Sequence, residues 1–333
     1  MITRHLKRIA RDWFLLGMLS AVVLATIAPG IGRSGGPLRA DVLGDVGIFA
    51  VFFLHGIGLS TEKLKEGVSR WRLHLVVQAF TFIVFPLLWL AFRAAAGGLV
   101  PPYLMLGFLY LCALPSTISS SVAMTGIARG NVAAAIFNAT LSSLLGVFLT
   151  PLLVALVAGN SGSLSLRDAM VKIAGMLVVP LVVGQLARPL VGKWFARWKP
   201  YTSVFDRAVI VLLVYVSFCD SVRAGLWTEH GVGMIAMTAA GAAVLLAIVL
   251  TLTRRTATLL RFAAEDEITA VFCGSKKTLA SGVPMAKLLF GAHPGLGVIV
   301  LPIMFYHQLQ LLVCSVLAER YASRPISGPA AEG

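Results

Sequence analysis

Phe272–Ala286 reads FCGSKKTLASGVPMA and lies inside a long apolar segment. Lys276 and Lys277 stand side by side in it, with Gly274 before them and Gly282 and Pro284 after. A lysine near the centre of a bilayer costs roughly 2.5–3.5 kcal/mol on insertion scales. Two in succession therefore require a chain that supplies groups to offset them.

The composition places this stretch in a membrane. The chain has 333 residues, 58% hydrophobic and only 13% charged, with a mean hydropathy of +0.88. Soluble domains carry about 25% charged residues. The segments Trp13–Ala28, Leu73–Ala91, Leu141–Ala158 and Gly231–Thr253 are each long enough to cross a hydrocarbon core as a helix. The short alternating segments of a β-barrel are absent. The net charge of +14 fits basic residues in short cytoplasmic loops better than a nucleic-acid partner. Cys112, Cys219, Cys273 and Cys314 all fall in apolar segments. They read as small packing residues, not as a disulfide framework or a metal site. The start, MITRHLKRIARDW before an apolar run, resembles a signal peptide. Its run ends in Ala28-Pro29-Gly30 without a small-x-small pattern, so a retained first transmembrane helix is expected.

Ten spans are predicted, over residues 13–29, 42–60, 73–93, 103–128, 131–158, 169–188, 204–223, 231–253, 262–290 and 296–318. With the N-terminus inside, the inner segments collect Arg4, Lys7, Arg8, Arg11, Lys63, Lys65, Arg70, Arg72, Arg188, Arg197, Arg254 and Arg255, among others. They outnumber the outer basic residues, such as Arg33, Arg93 and Arg167, by more than two to one. Both termini are accordingly expected in the cytoplasm.

The fourth and ninth spans are interrupted. Cys112–Met124, CALPSTISSSVAM, carries Pro115 in mid-span, where a backbone donor is lost. It aligns half a chain away with Cys273–Met285, CGSKKTLASGVPM, through Cys112/Cys273, Thr117/Thr278, Ser120/Ser281, Val122/Val283 and Met124/Met285. The fourth span runs inward; the ninth runs outward. An all-α polytopic fold follows, with ten helices in two inverted five-helix repeats (1–160 and 161–333) and discontinuous helices four and nine. Such repeats mark secondary transporters whose site lies where the broken helices cross.

Freed N–H groups and helix N-termini at a break attract anions, and freed carbonyls take cations. Thr117, Ser119, Ser120 and Ser121 add hydroxyls beside Pro115, although small hydroxyl residues also serve helix packing. Lys276 or Lys277 either stands where a transporter would hold a metal cation, or pairs with an anionic substrate, or caps freed carbonyls. Adjacent residues on an intact helix point about 100° apart, so one of the two is expected to face the crossing. Thr278, Asn138 and Gln78 complete the candidate binding set. Glu265-Asp266-Glu267 is either a helix cap, or takes part in cation entry or pairs with Lys276. His55, Gln185, His307 and Gln308 read as interhelical hydrogen-bonding groups, His55 without an evident partner. No HExxH, GxSxG, P-loop or Rossmann pattern is present. Neither an enzyme nor an ATP-driven pump is expected, no catalytic or metal-binding residue is assigned, and no cofactor is implied. The energy source open to such a chain is coupling to Na+ or H+.

Residues 114–151, LPSTISSSVAMTGIARGNVAAAIFNATLSSLLGVFLTP, with 265–286, EDEITAVFCGSKKTLASGVPMA, resemble the bile acid:sodium symporter family. The resemblance is to its solute carrier family 10 member 7-like branch. It covers nearly the whole chain. It implies ten helices arranged as a core domain against a panel domain, in a bacterial inner or plasma membrane. It also implies a symporter for a small organic anion of bile acid or sterol-like type. Matched through Ala128-Arg129-Gly130, the sodium-binding Ser-Asn pair of the family falls at Ser121-Val122. Its acidic residue falls near Cys273, its Gln near Lys277, and its fifth-helix hydroxyls near Ala135 and Ala139. The sodium ligands that the resemblance implies are thus largely replaced. The alternative to a transporter is a non-transporting membrane regulator or receptor of the same fold.

Overall fold

The computed structural model describes residues 13–58, 69–158, 166–225, 231–291 and 293–324. The basic residues Arg4, Lys7, Arg8, Arg11, Lys63 and Lys65, and the expected repeat boundary at 160/161, lie outside them. Among the described residues the structure is helical throughout: α1 (Trp13–Ile27), α2 (Pro29–Gly32), α3 (Ala40–Gly58), α4 (Trp71–Ala79), a π turn (Phe80–Val84), α5 (Phe85–Ala96), α6 (Pro102–Ala113), α7 (Ser119–Ile127), α8 (Val132–Ala158), α9 (Leu166–Arg223), α10 (Gly231–Leu259), α11 (Ala264–Gly274), α12 (Gly282–Phe290) and α13 (Leu296–Ala322). Among the described residues, five helical runs are long and apolar enough to cross a membrane: Ala40–Gly58, Trp71–Ala96, Val132–Val157, Gly231–Leu259 and Leu296–Ala322.

Local chemistry sets the boundaries. Pro102 opens α6 at a position whose N–H has no helical acceptor. The helix ends before Pro115, which drives Leu114 into extended backbone at φ −67°, ψ 151°. The acidic run Glu265, Asp266, Glu267 occupies the first turn of α11, where the helix dipole favours negative charge. Both predicted interruptions appear: α6 and α7 are separated by 114–118, α11 and α12 by 275–281.

Two regions differ from the sequence reading. The predicted third span contains the π turn. The predicted sixth and seventh spans form one uninterrupted helical run, α9. That run does not extend straight. Gly184 packs on the Phe53 carbonyl of α3, and Asp206 lies 3.5 Å from His55 of the same helix. A straight helix would hold residues 184 and 206 about 33 Å apart, so α9 curves back on itself around α3. At the near crossing a Cβ on Gly184 would sit 2.1 Å from the Phe53 carbonyl, and one on Gly56 would sit 2.1 Å from that of Leu181. Glycine permits this backbone-on-backbone approach, as small residues do where membrane helices pack.

The apolar surface is distributed as a bilayer requires. Large side chains on the outside include Leu19, Leu24, Ile83, Leu87, Leu186 and Val244. The fully buried centre holds Tyr110, Tyr306, Phe85, Phe218 and Phe272, together with Lys276 and Lys277. The chain is a polytopic helical membrane protein that encloses the Lys276–Lys277 pair in its interior.

Candidate functional site

The breaks at 114–118 and 275–281 cross, and the crossing is explained by where their freed backbone groups go. The Thr278 N–H donates to the Pro115 carbonyl at 3.0 Å. Ser116 Oγ donates to the Cys273 carbonyl at 2.7 Å, and its own N–H donates to Ser142 Oγ of α8 at 2.9 Å. Thr150 Oγ1 donates to the Ala113 carbonyl at 2.8 Å. Tyr306 donates to the Ser275 carbonyl at 2.7 Å, and Tyr110 donates to the Gly282 carbonyl. Gln310 bridges the Lys277 backbone in both directions, accepting its N–H at 2.9 Å and donating to its carbonyl at 2.8 Å. Buried backbone groups left without partners would each cost about 1–3 kcal/mol, so this network is what makes two broken helices tolerable side by side.

Lys277 closes the network from within. Its Nζ donates to the carbonyls of Thr81 (2.8 Å), Cys112 (2.9 Å) and Leu114 (2.6 Å). It sits 4.0 Å from the centroid of the Phe85 ring. Each acceptor has been released by a specific feature of the sequence. The Cys112 carbonyl loses its helical partner because the Ser116 N–H turns to Ser142. Leu114 lies beyond the end of α6. Thr81 is released by the π turn: the Phe85 N–H donates five residues back, to the Phe80 carbonyl. The next donor in that pattern would be residue 86, which is proline and has no N–H. An ammonium has three donors, and here three carbonyls and a ring face meet it.

Lys276 is differently placed. Its Nζ donates to the Ser120 carbonyl at 2.7 Å and lies 5.5 Å from the Phe272 ring centroid. Among the described residues, that is the one acceptor within hydrogen-bond reach of an equally buried ammonium. Beside it, Ser120 Oγ is buried with no hydrogen-bond partner. An ammonium with spare donors next to an unpaired hydroxyl is suited to a charge-assisted hydrogen bond with an anion.

The other predicted residues divide. Ser121 joins the crossing through its Oγ, which donates to the Phe272 carbonyl at 3.3 Å. Thr278 accepts from the Ser281 backbone and hydroxyl at 3.5 and 3.4 Å. Thr117 is buried at the break. Gln78 donates to the Asn138 carbonyl at 3.1 Å, and Asn138 Nδ2 donates to the Ala134 carbonyl at 3.0 Å. This pair lies one turn along α8 from Ala135, whose carbonyl is 4.0 Å from Cys273 Sγ. Gln78 Oε1 is buried without a partner. Ser119 is exposed, at the start of α7.

Three expectations are corrected. Both lysines are inside the crossing, because residues 276–278 lie outside any helix and the 100° offset of an intact helix does not apply. Asp266 and Glu267 do not pair with Lys276. Asp266 receives Asn131 Nδ2 at 3.0 Å and lies 3.5 Å from Arg70, and Glu267 lies 3.9 Å from both Arg254 and Arg324. His55 does have a partner, Asp206. The sequence reading also missed Thr81, Phe85, Tyr306 and Gln310. Gln310 was detectable as an amide in an apolar helix, and the π turn had Pro86 as its signal.

Residues 12–323 match the model of the SBF-like CPA transporter family. The chain is 48% identical over 319 residues to "Uncharacterized protein PA2026" of Pseudomonas aeruginosa, covering 95% of each. It is 44% identical over 310 residues to "Putative symporter YfeH" of Escherichia coli, covering 93% of this chain and 92% of that one. It is 32% identical over 327 residues to "Sodium/bile acid cotransporter 7" of Rattus norvegicus, covering 97% and 96%. The chain belongs to the SBF-like CPA transporter family and is an integral multi-pass membrane transporter, not an enzyme.

Proposed function

We propose that the chain is a secondary active transporter for a small organic anion, working by alternating access. The observation that carries this reading is Lys276: a fully buried ammonium beside the unpaired Ser120 hydroxyl, at the crossing of two broken helices. Burying that charge with one carbonyl acceptor is unfavourable for the empty protein, and an incoming carboxylate, sulfonate or sulfate would relieve it. Thr117 and the Gln78–Asn138 pair would supply polar edges, with Gln78 Oε1 still unpaired. The names of two relatives point to symport and to bile acids, which makes a sterol-like anion the first substrate class to try. In this reading helices one to five and six to ten are inverted repeats. The core holding both breaks rocks against a panel containing α3 and α9. The protein sits in the bacterial inner membrane with both termini in the cytoplasm.

Purified protein in proteoliposomes tests the reading. Labelled taurocholate and a panel of small carboxylates would be offered under an inward Na+ gradient, an inward H+ gradient, or neither. Saturable uptake of at least one anion is expected, abolished by Lys276→Gln and retained by Lys287→Gln. Absence of gradient-dependent flux for every anion would sink the transporter reading. Equal losses for the two lysine variants would remove Lys276 from the site.

A further inference from the structure

We propose that the Lys277 ammonium is a tethered cation filling a cation site made by the fold, so that no free metal cation occupies that position in the native protein. The site has a wall of backbone carbonyls from two places: the π turn (Thr81), and the end of α6, where Cys112 in the last turn and Leu114, the extended residue before Pro115, both contribute. A fourth side is the Phe85 ring at 4.0 Å, itself packed edge-on against Tyr306. Carbonyl oxygens converging on one point with an aromatic face beside them make a receptor for a small monovalent cation. Here a four-carbon tether delivers the cation from residue 277, whose backbone is fixed on both sides by Gln310.

The arrangement is more than a lysine capping a helix end. Acceptors capped by a lysine lie at the end of one helix. Two of these acceptors end α6 and the third lies in the π turn of a different helical run, and Pro86 and the Ser116–Ser142 bond withhold the backbone donors that would otherwise reach Thr81 and Cys112. Among the described residues near the ammonium, no carboxylate shares the site: Asp266 and Glu267 pair with Asn131, Arg70, Arg254 and Arg324. The carbonyls therefore favour a cation, and the chain provides one that is tethered and cannot leave the site.

The test reads thermal stability, so it requires no substrate and fails independently of the transport reading. Full-length protein in detergent is melted in choline, sodium, potassium and methylammonium chloride at one ionic strength. Wild type should melt at the same temperature in all four. Lys277→Ala and Lys277→Gly should melt lower in choline, and methylammonium or sodium should recover roughly half of the loss or more, saturably. Lys276→Ala should gain no such response. The proposal is overturned if Lys277→Ala melts like wild type in choline, or if wild type responds to the same cations as strongly as the variants. It is equally overturned if no small cation restores either variant, including the case in which both fail to fold in every salt.

Discussion

Lys276 and Lys277 adjoin in the chain and are both fully buried, yet their surroundings differ sharply. Lys277 meets three carbonyls and a ring face; Lys276 meets the Ser120 carbonyl, with an unpaired hydroxyl alongside. The difference teaches that burial alone does not assign a role to a charge. A cation whose donors are all used is part of the scaffold. One whose donors are not is poised for something that arrives later.

The comparison is broken or upheld first by stability. Lys277→Met removes the donor from three enclosed carbonyls, and losing one partner of a buried charged interaction costs about 3–5 kcal/mol. Lys276→Met takes an under-paired charge out of the interior, so it should cost no more than about 1 kcal/mol. Melting of the two variants in detergent, followed by fluorescence-detected size exclusion, should show a large drop for the first and little change for the second. A larger drop for Lys276→Met would reverse the two roles.

The next effect in size concerns what fixes Lys277. Gln310 holds both backbone groups of that residue, and Gln310→Ala leaves a buried N–H and a buried carbonyl without partners, a loss of about 2–4 kcal/mol. Gln308, two residues away, has its Nε2 buried without a hydrogen-bond partner. Gln308→Ala gives up nothing equivalent and should stay within about 1 kcal/mol of wild type. Urea or heat titration of both variants in the same micelle checks the contrast, which fails if the two are equally destabilised.

Much of this was legible before any coordinates. Apolar length and low charge identified a helical membrane protein. Pro115 and the Gly274-to-Pro284 stretch located the breaks, because proline and glycine interrupt helices through local geometry. The aligned cysteines, threonines and serines then pointed from one break to the other. What escaped depends on pairing across the fold. The fate of a carbonyl such as Thr81 is decided by whether residue 85 reaches back four residues or five. Gln310 looks like any amide in an apolar helix until Lys277 is placed against it. The 100° argument for the two lysines failed because it assumed a helix at the point where the helix stops. The run through α9 was divided into two spans because a 58-residue helix exceeds what a bilayer needs, and because Pro189, Gly192, Pro200 and the basic residues among them read as a loop where the chain instead keeps a bent helical run.

The smallest effect is the most specific to the comparison. Pro86 withholds the N–H that would compete for the Thr81 carbonyl, so its contribution should depend on whether Lys277 is present to use that carbonyl. With Lys277 in place, Pro86→Ala offers a donor to an oxygen already satisfied and changes stability only through the general preference of helices for alanine. In a Lys277→Met background the same substitution also offers that donor to an unmet carbonyl and should stabilise by about 1 kcal/mol more, the net worth of one hydrogen bond. The double-mutant cycle isolates this coupling from the general preference of helices for alanine over proline, since that preference appears equally in both backgrounds. Additive effects would show that the π turn and the ammonium are independent. Coupling of the predicted sign would tie a proline in the third span to a lysine in the ninth through one carbonyl oxygen.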